Sequence, residues 1–369
     1  MAIKRRHFLM LAAGGLLPAP TPSWATLAES GRWLSCRRES SGQYSACWLT
    51  DAGDVTLTIP LPGRGHAIAR HPRRAEMVIM ARRPGTFMMV ADLHASTPIK
   101  RIDSPPERHF YGHGVFDAEG RLLYATENDF ATGAGVIGIY DAADGYRRLG
   151  EFSSHGVGPH ELRLLGDGNT LVIANGGIRT HPDRGRALLN REDMRPNLAY
   201  VDRTSGQLQG AFGLPDTLHQ LSIRHIDLTA DDTVCIAMQY EGPANDRPPL
   251  VALHRGEPSL RLLTAPEPVQ ATMHNYCGSV AIDASDQVCA VTSPRGGLVT
   301  LWSIAEGDWL GSSPMADCCG VAAGDSAREF VVTNGAGTIV RLTGDTDRWT
   351  QTLLSTDTYS NWDNHLLVG

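Results

Sequence analysis

The sequence predicts an all-β fold, a seven-bladed β-propeller closed by a composite blade, and three observations predict it. The first is a recurring phrase in which a histidine, often after a glycine, opens an apolar stretch that passes through a turn into a second apolar stretch. It reads Gly65-His66-Ala67-Ile68, Gly112-His113-Gly114-Val115, Pro159-His160-Glu161-Leu162, Arg224-His225-Ile226-Asp227 and Asn364-His365-Leu366-Leu367. Two more copies, Cys277-Gly278-Ser279-Val280-Ala281 and Cys319-Gly320-Val321-Ala322, keep the strand pattern without the histidine. The second is spacing: His66 to His365 is 299 residues over six intervals, about 50 per unit, the size of a four-stranded blade. The third is the near absence of helical periodicity, with short apolar runs separated by Asp, Asn and Gly turn residues instead.

The elements follow in chain order. Residues 1–25 read as an export signal: Lys4-Arg5-Arg6-His7-Phe8-Leu9 is a charged start, the run from Leu9 to Leu17 a short apolar core, and Ser23-Trp24-Ala25 a small-x-small cleavage site. The paired arginines before Phe-Leu resemble the twin-arginine type, which carries folded proteins. A periplasmic location is therefore expected, with no membrane span in the mature form, because the apolar core is too short to cross a bilayer. Residues 26–369 are expected to form one propeller domain, since the repeat runs through the whole mature chain.

Residues 33–37, 44–49 and 55–60 supply three strands before the first histidine unit, and Leu366-Leu367-Val368 supplies one after the last. Joined, they complete a blade and close the ring without a long free edge, and a monomer is expected. Blade 2 shows the internal pattern: Gly114 to Phe116, a turn at Asp117-Ala118-Glu119-Gly120, Leu122 to Thr126, Val136 to Tyr140, a turn at Asp144-Gly145, then Arg147 to Phe152. Two stretches exceed the minimal blade. Residues 175–197 form a long basic loop in blade 3, and residues 240–249 a shorter loop in blade 4. Long polar loops on a rigid scaffold are where function concentrates.

Charge and cysteines narrow the classes. The formal charge is -7, and cleavage after Ala25 removes three cations and no acid, leaving -10. Nothing in that balance provides a footprint for nucleic acid. Seven cysteines are present without a C-x-x-C motif. Cys36 and Cys47 lie on neighbouring predicted strands and can pair, while Cys235 and Cys289 read as small buried apolar residues. There is no G-x-S-x-G elbow, Walker loop, H-E-x-x-H helix or c-type haem attachment motif, so any haem would be non-covalent.

The phrases Tyr111-Gly112-His113-Gly114, Ala125-Thr126-Glu127-Asn128-Asp129-Phe130, Gly158-Pro159-His160-Glu161-Leu162, Asn175-Gly176-Gly177-Ile178, Leu218-His219-Gln220-Leu221, Val291-Thr292-Ser293-Pro294-Arg295 and Trp362-Asp363-Asn364-His365 resemble the bacterial family called domain of unknown function 1513. The resemblance spans the mature chain. It implies an exported propeller encoded beside imelysin-type iron-regulated periplasmic proteins and a di-haem peroxidase-like protein, and hence periplasmic iron handling with an imelysin-type protein as a candidate partner. It carries no established reaction, so no catalytic role transfers.

The first strand of a blade lines the axis. Blades 7, 1, 2, 3 and 4 thus bring His365, His66, His113, His160 and His225 to one mouth, facing a gap edged by Cys277, Ser279, Cys318 and Cys319. Imidazole suits iron, copper and zinc. Glu161 and Asp363 can add oxygen ligands or accept ring N–H bonds. The expected cofactor is iron or copper, or non-covalent haem. The competing use is structural: in WD-type propellers a Gly-His pair at this position is a hydrogen-bonding element, although their Trp-Asp ending is missing here. A small-ligand funnel is the third use. Glu127, Asn128, Asn175, Glu241 and Arg295 at second-strand ends, with Arg179, His181 and His219, would line it. Arg82-Arg83, Arg179, Arg184 and Arg186 can receive a carboxylate, phosphate or haem propionate. These features favour an accessory protein that binds a metal, a metal chelate or a small anionic ligand. A propeller enzyme of lactonase or copper-oxidase type and a docking platform remain as alternatives.

Overall fold

The computed structural model describes residues 32–93, 97–185, 187–345 and 348–369. The export segment lies outside them. Among the described residues, twenty-eight strands form seven four-stranded antiparallel sheets arranged as blades. Blade 1 holds β4 (Gly65–Arg70), β5 (Glu76–Ala81), β6 (Phe87–Asp92) and β7 (Thr97–Asp103). Blade 2 holds β8 (Arg108–Phe116), β9 (Leu122–Asp129), β10 (Ala134–Asp141) and β11 (Arg147–Ser153), and blade 3 holds β12 (Pro159–Leu164), β13 (Thr170–Asn175), β14 (Asn197–Asp202) and β15 (Leu208–Gly213). Blade 4 holds β16 (Leu221–Leu228), β17 (Val234–Tyr240), β18 and β19 (Arg261–Leu263). Blade 5 holds β20 (Ser279–Ile282), β21 (Val288–Ser293), β22 and β23 (Trp309–Pro314), and blade 6 holds β24 (Cys318–Ala323), β25 (Glu329–Asn334), β26 and β27 (Trp349–Thr356).

Blade 7 is composite, as the ends of the sequence predict. β28 (Ser360–Val368) is its innermost strand and pairs antiparallel with β1 (Trp33–Glu39), placing Leu34 opposite Leu367. β2 (Tyr44–Leu49) and β3 (Val55–Leu61) complete it. Closure satisfies the backbone groups that an open sheet edge would leave exposed.

The core lies between blades. Ile223, Ile226, Ile236 and Met238 of blade 4 pack with Val280 and Val291 of blade 5 in one buried cluster, and Leu171, Ile173 and Val201 of blade 3 pack with Tyr124 and Ile137 of blade 2. Inner and second strands are buried on both faces, so they read as continuous apolar runs such as Val234-Cys235-Ile236-Ala237-Met238. Outer strands face solvent on one side, and β11 alternates exposed and half-buried residues.

All seven cysteines are buried free thiols. Cys36 sits opposite Ala46 and Cys47 opposite Ser35, and the two do not pair. No helix among the described residues is long and apolar enough to cross a membrane. The one α-helix among them, α1 (Glu267–Thr272), precedes blade 5.

Candidate functional site

The inner strands carry a feature that places the histidines: a register slip. The β4–β5 ladder jumps from Gly65↔Ala81 to Ile68↔Ile79, leaving His66 in the bulge. The β8–β9 ladder jumps between Phe110 and Gly114, around His113; β12–β13 jumps between Pro159 and Glu161, at His160; β16–β17 jumps between Ile223 and His225. In β28 the slip against β1 falls between Trp362 and Leu366, around His365. A bulge bends the strand and re-aims its side chain, here toward the axis. Neighbouring hydroxyls satisfy the displaced backbone: Thr126 Oγ1 accepts from the His113 amide and donates to its carbonyl, and Ser35 Oγ donates to the His365 carbonyl at 2.7 Å. Gly112 has φ +109°, and a Cβ there would lie 2.4 Å from the His66 ring. The glycine before His113 thus makes room for the previous blade's imidazole.

Five imidazoles meet at the axis. In eight of the ring pairs the centroids lie between 4.4 Å, for His66 and His365, and 6.0 Å, for His113 and His225. Two overlapping triads, His66–His113–His160 and His113–His225–His365, each place their ligand nitrogens within 4.8 Å of one another. His113 belongs to both. His66 Nε2 and His365 Nε2 are 3.2 Å apart. Two nitrogens bound at about 2.1 Å to one ion, at 90–109° to each other, stand about 3.0–3.4 Å apart.

Two clamped carboxylates set the orientation of the rings. Asp363 accepts from His66 Nδ1 at 3.2 Å, from Arg82 Nη1 at 2.9 Å and from Arg64 Nε. Glu161 accepts from His225 Nδ1 at 3.2 Å, is paired with Arg163 Nη1 at 2.7 Å and lies 3.6 Å from His113 Nδ1. Burial pushes both carboxyls up, but the hydrogen bonds and guanidinium charges outweigh it and hold both below the usual carboxylate range. A proton on Nδ1 of His66 and His225 leaves each Nε2 with a lone pair, which on His66 faces His365 Nε2. Burial drives every ring of the cluster toward its neutral form, and His66 is lowered to about 4. Buried His113 Nε2 and His160 Nδ1 have no hydrogen-bond partner. Neutral imidazoles with lone pairs to spare and carboxylates behind them suit a late first-row cation.

The thiols stand apart. Cys318 Sγ donates to the Leu298 carbonyl at 3.2 Å and Cys319 Sγ to the Asp317 carbonyl at 3.1 Å, while Cys277 faces the Leu250 carbonyl. Among the described residues, the groups able to hold an ion contain histidine alone.

Above the cluster, His66, His160 and His225 share a narrow cavity with Arg82, Arg83, Tyr111, Arg224, Gln239, Tyr276 and Asn364. It continues into a mouth of about 460 Å³ that keeps Arg82, Arg83, Arg224, Gln239, Tyr276 and Asn364 and adds Arg191, Glu241, Arg295 and Asp317. Burial, and then the Arg83 charge, lowers Arg224 to about 10, and its buried Nε has no hydrogen-bond partner.

The structure divides the residues that the sequence grouped into a funnel. Glu241 and Arg295 reach the mouth. Arg179 and His181 line a neighbouring cavity with Phe130 and Arg184, and His219 lines a third with Arg195. Glu127 is fully buried, accepting from Tyr140 at 2.6 Å and Arg148 at 2.8 Å. Asn128 donates to His109 Nε2 and the Thr180 carbonyl, and Asn175 to the Ser154 carbonyl and Asn197. Sequence reasoning passed over Arg224, Arg163 and Tyr276. The available signal was position, since Arg224 immediately precedes an axial histidine and Tyr276 the corresponding segment of blade 5.

Fold and site define a seven-bladed propeller with an axial histidine cluster beneath a cationic mouth. The chain belongs to the family described as Protein of unknown function (DUF1513), whose model matches residues 59–369. No curated protein matches the sequence. Among solved structures, hydrazine synthase of Kuenenia stuttgartiensis is similar with a TM-score of 0.62 at 13% identity, over 94% of this chain and 100% of that one. A chain of the mitotic checkpoint complex gives 0.58 at 12% identity, over 81% of this chain and 84% of that one. U3-55K gives 0.59 at 12% identity, over 80% and 82%. At these identities the likeness is one of fold.

Proposed function

We infer that this protein is an exported metal-binding accessory protein, acting in the periplasm in iron acquisition, and that its axial cluster holds one iron or copper ion. The observation that carries the reading is the state of the five rings: four buried and His365 half-buried, all driven toward the neutral form, two fixed at Nδ1 by clamped carboxylates, and two more with a buried nitrogen that has no partner. An orphaned buried polar atom costs about 1–3 kcal/mol, and an ion removes that cost for several rings at once. A bare ion fits better than haem, because rings 4.4–6.0 Å apart leave no slot for a macrocycle. The twin-arginine-type leader supports export in a folded, loaded state, and the family resemblance supports the iron context.

The test is elemental analysis with an absorption spectrum on protein purified from the periplasm without a histidine tag. Near-stoichiometric iron or copper is expected, lost on His113→Ala with the fold retained. A metal-free protein that takes up neither ion would refute the reading, and a Soret band would replace the bare ion with haem.

A further inference from the structure

We propose that the mouth above the histidine cluster is a binding site for a small polycarboxylate. Arg82 and Arg83 come from the loop after β5, Arg224 from β16, Arg295 from the loop after β21, and Arg191 from the long loop of blade 3. Four blades thus contribute arginines to the lining of one space of about 460 Å³. Two acids, Glu241 and Asp317, line the same space and Arg82 is paired with Asp363 behind it, so four other arginines face two acids. The surplus is local, since the chain as a whole is acidic at -7.

Arg224 is the sharpest of these observations. Its Nε is buried and has no hydrogen-bond partner, and it shares the narrow inner cavity with Arg83. A buried guanidinium with an orphaned donor is costly unless an anion joins it. The guanidinium fork matches a carboxylate through two parallel hydrogen bonds, and several forks around one space match several carboxylates. Arg295 lies over the Tyr276 ring at 4.3 Å, which holds its plane in place. The volume is in the range of small-molecule sites and exceeds the needs of a lone phosphate. The mouth shares Arg82, Arg83, Arg224 and Tyr276 with the inner cavity that reaches His66, His160 and His225, so the two sites adjoin.

The proposal does not need the metal reading and is tested without metal. The full-length mature protein is stripped with neutral phenanthroline, which carries no carboxylate, and titrated calorimetrically with citrate and with inorganic phosphate at low and high salt. Saturable citrate binding that weakens with salt is expected, with phosphate at least about tenfold weaker. Arg224→Gln should weaken citrate by about tenfold or more with an unchanged melting temperature, and Arg184→Gln, in the neighbouring cavity, should leave it unaltered. Absence of citrate binding in folded protein overturns the proposal, as does wild-type affinity in folded Arg224→Gln. Phosphate binding as tight as citrate overturns the polycarboxylate class. Should Arg224→Gln not fold, Arg295→Gln reads the same site. Citrate binding without metal uptake would sink the metal reading alone, and metal uptake without citrate binding would sink this one alone.

Discussion

The two sides of the ring solve the same closure problem with different chemistry. Blades 7, 1, 2, 3 and 4 carry a slipped inner strand and a histidine at or beside the slip. Blade 6 keeps the slip, between Cys318 and Val321, but fills it with Cys319 and Gly320, whose amide is satisfied by Thr333 Oγ1. Blade 5 has neither: Ser279 to Ile282 pair with Thr292 to Cys289 in unbroken register. The axis therefore closes at two of seven positions without an imidazole. Blade 6 shows that the bulge closes without a histidine and blade 5 that the axis closes without either, so the imidazole is separable from closure, which favours a site over a structural ring.

That comparison can be broken most forcefully at His113, the ring common to both triads. His113→Ala is expected to abolish metal uptake while changing the unfolding free energy of the metal-free protein by no more than about 2 kcal/mol; unfolding of the variant with metal still bound in whatever survives would put the ring back among structural elements. Acid gives the next effect. The folded metal-free protein refuses protons on the buried rings that the unfolded chain accepts below pH 6.5, because burial lowers His66 to about 4 and the other four in the same direction. Stability is thus fully present above pH 6.5 and falls between pH 6.5 and 4, by about 3 kcal/mol from His66 alone. Denaturant melts of metal-free protein across that range check this, and a flat profile would contradict it.

Gly112→Ala should destabilise the protein by about 2–3 kcal/mol, since it sets a side chain at φ +109° against the His66 ring. Glu161→Gln keeps the shape but removes the charge behind His225, and metal affinity should drop about 10–100-fold; competition with a coloured chelator measures it. The smallest effect belongs to the far side: Cys319→Ser should leave metal content unchanged, and native thiols should resist alkylation until the protein unfolds, because burial pushes Cys318 up to about 12 and raises Cys36, Cys235 and Cys277 as well.

The sequence displays the blade repeat, the composite closure by Leu366-Leu367-Val368 and the histidine arc, because each depends on local spacing. The partners behind the rings are hidden from such a reading. Asp363 meets Arg64 and Arg82 from 299 and 281 residues away, and Glu161 faces His225 across a blade boundary. Bulges are hidden too, since a slip of one residue leaves an apolar run looking unchanged when both faces of the strand are buried. The same double burial explains Glu127, Asn128 and Asn175. Alternation cannot say which face a residue takes, and these three turn to hydrogen bonds inside and between blades rather than into the mouth.

X-ray absorption at the edge of the bound metal tests the central claim most directly. A first shell of nitrogen with imidazole outer-shell scattering, at about 2.0–2.1 Å and without sulfur, is the predicted result. Sulfur at about 2.3 Å, or a shell without imidazole, would move the ion away from the five-histidine cluster and contradict the account.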